Sequence, residues 1–89
     1  MSTHDSEIQA ASAALSKAHA DVSRLASVYA RAKARLDAWK GPMRGDLFEV
    51  RLNAWRAATL ALDRATAARR RAAVNHYLLV RKSRPEAAA

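Results

Sequence analysis

The side chains best suited to binding chemistry are arginines in the second half of the sequence. Arg69, Arg70 and Arg71 are consecutive, and no acidic residue lies between Asp63 and Glu86. The cationic residues of this segment are Arg64, Arg69, Arg70, Arg71, Arg81, Lys82 and Arg84. Because guanidinium groups bind phosphates and carboxylates, these residues are candidate contacts for an anion or an acidic partner protein.

The spacing of these arginines favours a solvated or partner-facing basic surface over nucleic-acid binding. Consecutive helical residues point roughly 100° apart, so the triplet spreads around a helix and does not form one stripe. Aromatic side chains that could stack on bases do not interleave with it, which makes nucleic acid the alternative partner. Arg69 is predicted on the helix-packing side opposite Ala18, where it marks a gap or the entry point of a partner's carboxylate.

Other residue types give no sign of catalysis or of metal binding. The three histidines, His4, His19 and His76, share no helical i, i+4 spacing, and cysteine is absent. The acidic residues are predicted to be helix caps or exposed charges, with no pair placed for acid–base work. We therefore expect a protein that is not an enzyme and that needs no cofactor and no metal.

Composition predicts an all-α fold with one structural unit. The 89 residues include only two glycines and two prolines, which is typical of long uninterrupted helices. The net charge of +8 is uneven, because residues 1–40 carry six basic and four acidic side chains and residues 41–89 carry ten and four. We expect no membrane span and no Sec signal peptide, which leaves the bacterial cytoplasm and Sec-independent secretion as alternatives.

A heptad pattern predicts the first helix over residues about 7–40. Apolar residues recur in steps of three and four, as along the packing seam of a coiled coil. The seam positions are Ile8, Ala11, Leu15, Ala18, Val22, Leu25, Tyr29, Ala32, Leu36 and Trp39. Ser6 and Gln9 have capping-box spacing, which predicts the helix start near residue 7.

The first helix is expected to end at a turn over residues about 41–46. Gly41 can adopt the left-handed conformation that closes a helix, and Pro42 cannot donate the next helical hydrogen bond. Asp46 with Glu49 forms a second capping box. A second helix then follows over residues about 47–82, with short disordered tails at both chain ends, so the chain is one antiparallel hairpin.

The second helix carries a matching seam that weakens towards its end. The predicted positions are Phe48, Leu52, Trp55, Thr59, Leu62, Thr66, Arg69, Ala73, His76 and Val80. Folding the hairpin about residue 44 places Ala32 opposite Trp55, which is a small-to-large fit. Tyr77 drifts to a neighbouring face, with Val74 and Leu78. Because two helices cannot cover each other completely, dimerisation into a four-helix bundle is expected to bury the remaining apolar residues.

The bend carries the tripeptide Trp39-Lys40-Gly41, and here the chain resembles the WXG family of small helical-hairpin proteins of type VII (ESX) secretion. Phe48 and Trp55 lie near the aromatic positions at the start of that family's second helix. The resemblance implies a homodimer, or a heterodimer with an acidic helical hairpin. The family's C-terminal Tyr-x-x-x-Asp/Glu export motif is absent, because Tyr77 is followed four residues later by Arg81.

Three functions are compatible with these observations. The leading hypothesis is a WXG-like partner or substrate of a type VII secretion system that acts by protein–protein interaction. Its packing residues would be Leu25, Tyr29, Leu36, Phe48, Leu52, Trp55, Leu62 and Tyr77, with Trp39, Gly41 and Pro42 as the turn motif. One alternative is a small helical-hairpin co-chaperone of type III secretion, because Arg44-Gly45 and Ala61-Leu62-Asp63 resemble the turn and the second-helix segment of such proteins. The other alternative is a basic phage- or plasmid-type nucleic-acid-binding or inhibitor protein.

Overall fold

Two long helices make up the fold. A computed structural model describes residues 3–83, with α1 over Thr3–Asp37 and α2 over Asp46–Lys82. The helices pack along each other in a rod of 64 × 24 × 14 Å, joined by a loop over residues 38–45. The predicted all-α helical hairpin is therefore confirmed, whereas its completion to a four-helix bundle stays a prediction.

Both ends of α1 differ from the predicted ends. α1 begins at Thr3 instead of near residue 7, so Ser6 lies inside the helix and does not cap it. α1 ends at Asp37 instead of near residue 40, because the Trp39 N–H turns back to the Leu36 carbonyl at 3.1 Å. Residues 3–6 are therefore helical and not a disordered tail.

The start of α2 also corrects a prediction. The N-cap is Gly45, without a side-chain capping bond, and Asp46 is already the first helical residue. Asp46 and Glu49 instead lie in the first turn, where carboxylates interact favourably with the helix dipole. α2 ends as predicted, and the Ser83 hydroxyl donates to the Val80 carbonyl at 2.8 Å. Arg84, a predicted anion or acidic-partner contact, and the predicted disordered C-terminal tail lie outside the described residues.

The heptad seam of α1 is confirmed from Ile8 to Leu36. Ala11 and Ala18 are buried, and the other seven predicted seam residues within the helix are half-buried. Three-residue and four-residue steps along α1 thus keep one face turned towards α2, as a helix–helix seam requires.

The seam of α2 follows the prediction with two exceptions, because Ala73 is not part of it and because Ala58, the one buried residue of α2, was not predicted. Ala73 is exposed, while Ala72 and Leu79 are half-buried beside His76 and Val80. An ideal α-helix has 3.6 residues per turn, so the contact line drifts around the helix relative to a strict heptad. Over the length of α2 this drift replaces Ala73 by its neighbour Ala72.

The interhelical core is thin because its fully buried residues are small. Among the described residues, only Ala11, Ala18 and Ala58 are buried, at 4%, 9% and 5% exposure. Alanines let the two backbones approach closely but bury little apolar surface each. The hairpin therefore has limited stability from its own core.

Pairs of opposite charges run along the outside of α1. Lys17 donates to Asp21 and Lys33 donates to Asp37, both at 2.9 Å and both at i, i+4 spacing. The hydrogen bond from Lys17 lowers the pKa of Asp21, and the hydrogen bond to Asp37 raises the pKa of Lys33. Exposed pairs of this kind contribute little to stability, so they do not compensate for the thin core.

Candidate interaction surfaces

The bend is organised by the side chain of Trp39. Its indole N–H donates to the Pro42 carbonyl at 2.9 Å, and the Arg51 guanidinium lies 4.6 Å from the ring centroid. Arg51 also donates to the Leu47 carbonyl at 3.1 Å, which fixes it over the ring. Trp39 therefore links the loop to the first turn and a half of α2, and it is not the last seam residue of α1 as predicted.

The two glycines of the bend are needed for different reasons. A Cβ on Gly41 would lie 2.5 Å from Cζ2 of Trp39 and 2.9 Å from its Cε2, so Gly41 makes room for the indole. Gly41 has no positive φ, and the prediction that it closes α1 in the left-handed conformation is wrong. Gly45 does have a positive φ, of 94°, with open space around it. The Gly of Trp39-Lys40-Gly41 thus serves the tryptophan, and Gly45 serves the backbone.

We predict that Gly41→Ala displaces the indole of Trp39. The new methyl group would cost the N–H···O bond and the Arg51 contact, together about 1–2 kcal/mol. In a Trp55→Phe background Trp39 is the only fluorophore of its kind, so its emission should shift to longer wavelength.

Gly45→Ala is the matched control for this substitution. It strains the backbone by roughly 1–2 kcal/mol but leaves the indole in place, so it should lower the unfolding temperature without the emission shift. An unchanged emission spectrum in Gly41→Ala would contradict the packing of Trp39 on Gly41.

A groove opens between the helices close to the bend, and we call it the bend groove. It has a volume of about 760 Å³. Its apolar wall consists of Val28, Ala32, Ala34, Val50 and Ala54. The groove therefore presents an apolar surface that the hairpin leaves uncovered.

Three arginines, Arg31, Arg35 and Arg51, line the same groove. None of them forms an ion pair within residues 3–83, where the carboxylates of Asp21 and Asp37 pair with lysines and Arg24. The bend groove thus combines an apolar wall with three guanidinium groups that form no ion pair within residues 3–83. The sequence pattern does not reveal this site, although the i, i+4 spacing of Arg31 and Arg35 places both on one helix face.

A second uncovered surface lies on the outer side of α2. Leu60, Val74, Tyr77 and Leu78 are between 50% and 61% exposed. Leu60 and Leu78 are 18 residues apart, which is five helical turns, so they lie on the same side of the helix. Tyr77 belongs to this surface and not to the seam. Its exposed ring can therefore contact a partner protein.

The other predicted packing residues lie between the two helices. Leu25, Tyr29, Leu36, Phe48, Leu52, Trp55 and Leu62 are all half-buried. Ala32 and Ala54 both line the bend groove, and the placement of Ala32 opposite Trp55 stays a prediction. The Trp55 indole nitrogen is buried without a hydrogen-bond partner among the described residues.

The predicted arginine cluster is divided between two environments. Arg69 is half-buried at the seam, as predicted, and no described carboxylate pairs with it. The remaining described members are exposed: Arg64, Arg70, Arg71, Arg81 and Lys82. The cluster therefore forms a broad cationic surface and not one compact anion site.

Residues 3–83 contain neither a cluster of metal ligands nor a membrane-spanning helix. That part of the chain contains no group of three or more His, Cys, Asp or Glu residues arranged to hold a metal ion. Neither described helix is both long enough and apolar enough to cross a membrane.

Comparisons with known proteins leave the assignment at the level of the fold. No protein-family model, no curated protein and no solved structure matches this chain. The structure defines the class as an all-α protein built from one helical hairpin. Its uncovered features are the bend groove, the outer face of α2 and the cationic surface.

Proposed function

We propose that this chain is a non-enzymatic protein–protein interaction module, a WXG-like partner or substrate of a type VII secretion system. It acts by presenting its helices to another helical protein, with which it forms a four-helix assembly. The observation that carries this proposal is the mismatch between core and surface. Within residues 3–83 the buried side chains are all alanines, whereas Leu47, Val50, Leu60 and Leu78 are at least half exposed.

The geometry of the bend supports the family part of the proposal. The indole of Trp39 packs on Gly41. A Cβ added to Gly41 would lie 2.5 Å from Cζ2 of the indole, so a residue with a side chain cannot replace this glycine without moving the indole. In the order Trp-x-Gly, the glycine leaves room for the indole in the position that it occupies at this bend. That packing gives a reason for the tripeptide to be located at the turn of a helical hairpin.

The decisive test is the mass of the native species. We expect a purified sample at micromolar concentration to sediment as a dimer, or the chain to purify one to one with a helical partner encoded beside it. Because association stabilises the folded form by mass action, the unfolding temperature should rise with protein concentration. A species of one chain, with no partner in its source cells and a concentration-independent unfolding temperature, would refute the proposal.

The exposed cationic surface favours nucleic-acid binding as a second candidate function. Arg64, Arg70, Arg71, Arg81 and Lys82 are exposed, and none pairs with a described carboxylate. Affinity for a DNA duplex should then fall steeply between low and high salt, because binding would release counterions. A neutral variant of these five residues should lose that binding while keeping the hairpin, as measured by circular dichroism.

A further inference from the structure

The charges of the bend groove bear on the chemistry of the partner. Arg31 and Arg35 are one helical turn apart on α1, and like charges at this spacing repel each other. A carboxylate placed near both would relieve that repulsion and accept hydrogen bonds from both guanidinium groups. The groove is therefore suited electrostatically to an acidic ligand.

Arg51 approaches the same groove from α2 in a prepared position. Its contacts with the Trp39 ring and with the Leu47 carbonyl restrict its side chain before any partner arrives. A restricted side chain loses less conformational entropy on binding than a free one does. Arg51 thus extends the cationic edge across both helices of the hairpin.

The apolar wall limits the kind of acidic ligand that fits. Val28 and Val50 come from different helices and face the groove together, with alanines between them. A phosphate chain would leave these residues exposed, whereas an amphipathic helix would cover them with its apolar face. A second copy docking by the same face would bring a second set of Arg31, Arg35 and Arg51 against the first, at an electrostatic cost.

Resting on the proposed function, we infer that the bend groove is the docking site for an acidic amphipathic helix of a different protein. The apolar face of that helix covers Val28 and Val50, and its carboxylates pair with Arg31, Arg35 and Arg51. The partner in the four-helix assembly is then an acidic chain and not a second copy of this one. The same groove explains how a protein of charge +8 gains a partner without self-association at this site.

The test uses the full chain and a labelled synthetic helical peptide. The peptide has leucine and alanine on one face and glutamate on both flanks, and a second peptide has lysine in place of each glutamate. We expect the glutamate peptide to bind and the lysine peptide not to bind. Arg31→Gln with Arg35→Gln should weaken binding of the glutamate peptide about tenfold, measured by fluorescence anisotropy.

The matched control changes the same number of charges elsewhere. Arg24→Gln with Arg56→Gln removes two exposed arginines that do not line the bend groove, and it should change the affinity less than about twofold. Equal losses in the two double variants would show that net charge alone attracts the peptide, and would overturn the inference. Displacement of the peptide by a DNA duplex, or binding of the lysine peptide, would overturn it as well.

Sedimentation of the same variants separates this inference from the proposed function. A chain without any native partner that still binds the glutamate peptide through Arg31 and Arg35 would refute the proposed function alone. A dimer of this chain that is lost in the Arg31→Gln, Arg35→Gln variant would refute the acidic-partner inference alone, because the groove would then be occupied by a second copy. Circular dichroism checks that each variant keeps its helices.

Discussion

Trp55→Ala should destabilise the hairpin by about 2–4 kcal/mol, which is a large fraction of the stability of so small a fold. Trp55 is the largest side chain between the helices, and its removal leaves a cavity beside residues too small to fill it. The expected value is below that of a fully buried tryptophan because Trp55 is only half-buried. Urea unfolding followed by circular dichroism at 222 nm, a wavelength that reports helix content, would measure the change.

Trp55→Phe separates the apolar contact from the indole N–H. The Trp55 nitrogen is buried without a partner among the described residues, so its N–H contributes a desolvation cost and no compensating bond. Phenylalanine removes this cost while keeping most of the ring contact, and we expect a stability within about 1 kcal/mol of the original. A loss as large as that of Trp55→Ala would mean that the N–H makes an important bond.

The seam was predictable because it depends on the spacing of many apolar residues, and no single residue decides it. Every predicted seam position from Ile8 to Leu36 is buried or half-buried, since correctly spaced apolar residues specify one face of a helix. In α2 the prediction fails at Ala58, which is buried although it was not predicted, and at Ala73, where the neighbouring Ala72 turns inward. Residues 72 and 73 are both alanine, so side-chain hydrophobicity could not distinguish them, and the geometry of the packed helices decides.

The helix ends were less predictable because capping depends on backbone geometry. The sequence predicts that Gly41 closes α1 and that Asp46 caps α2, and both predictions are wrong. α1 ends before Trp39, whose backbone N–H bonds the Leu36 carbonyl and whose indole occupies the space over Gly41. Gly45 provides both the positive φ and the N-cap position.

The bend groove could not be found by scanning the sequence for clusters. Arg31 and Arg35 come from one helix and Arg51 from the other, and only the hairpin brings them together. Arg69 to Arg71, by contrast, are adjacent in sequence but divided between the seam and the exposed surface. Sequence adjacency overstated one cluster, and sequence distance hid the other.

Ala58→Leu should destabilise the hairpin by about 1–3 kcal/mol through overpacking. Ala58 is only 5% exposed and is the one buried residue of α2. A leucine there must either push the helices apart or adopt a strained rotamer, and separating the helices would also loosen the half-buried residues on both sides. The unfolding temperature measured by circular dichroism should fall, with little change in helix content at low temperature.

Ala57→Leu is the matched control because Ala57 is the preceding residue and is exposed. Both substitutions add the same atoms, and alanine and leucine differ little in helix propensity, so the control should change stability by less than about 0.5 kcal/mol. The difference between the two variants therefore isolates the closeness of the helices at Ala58. If both variants were equally stable, the seam would have room for a leucine, and the small residues would not be what holds α1 and α2 together at short distance.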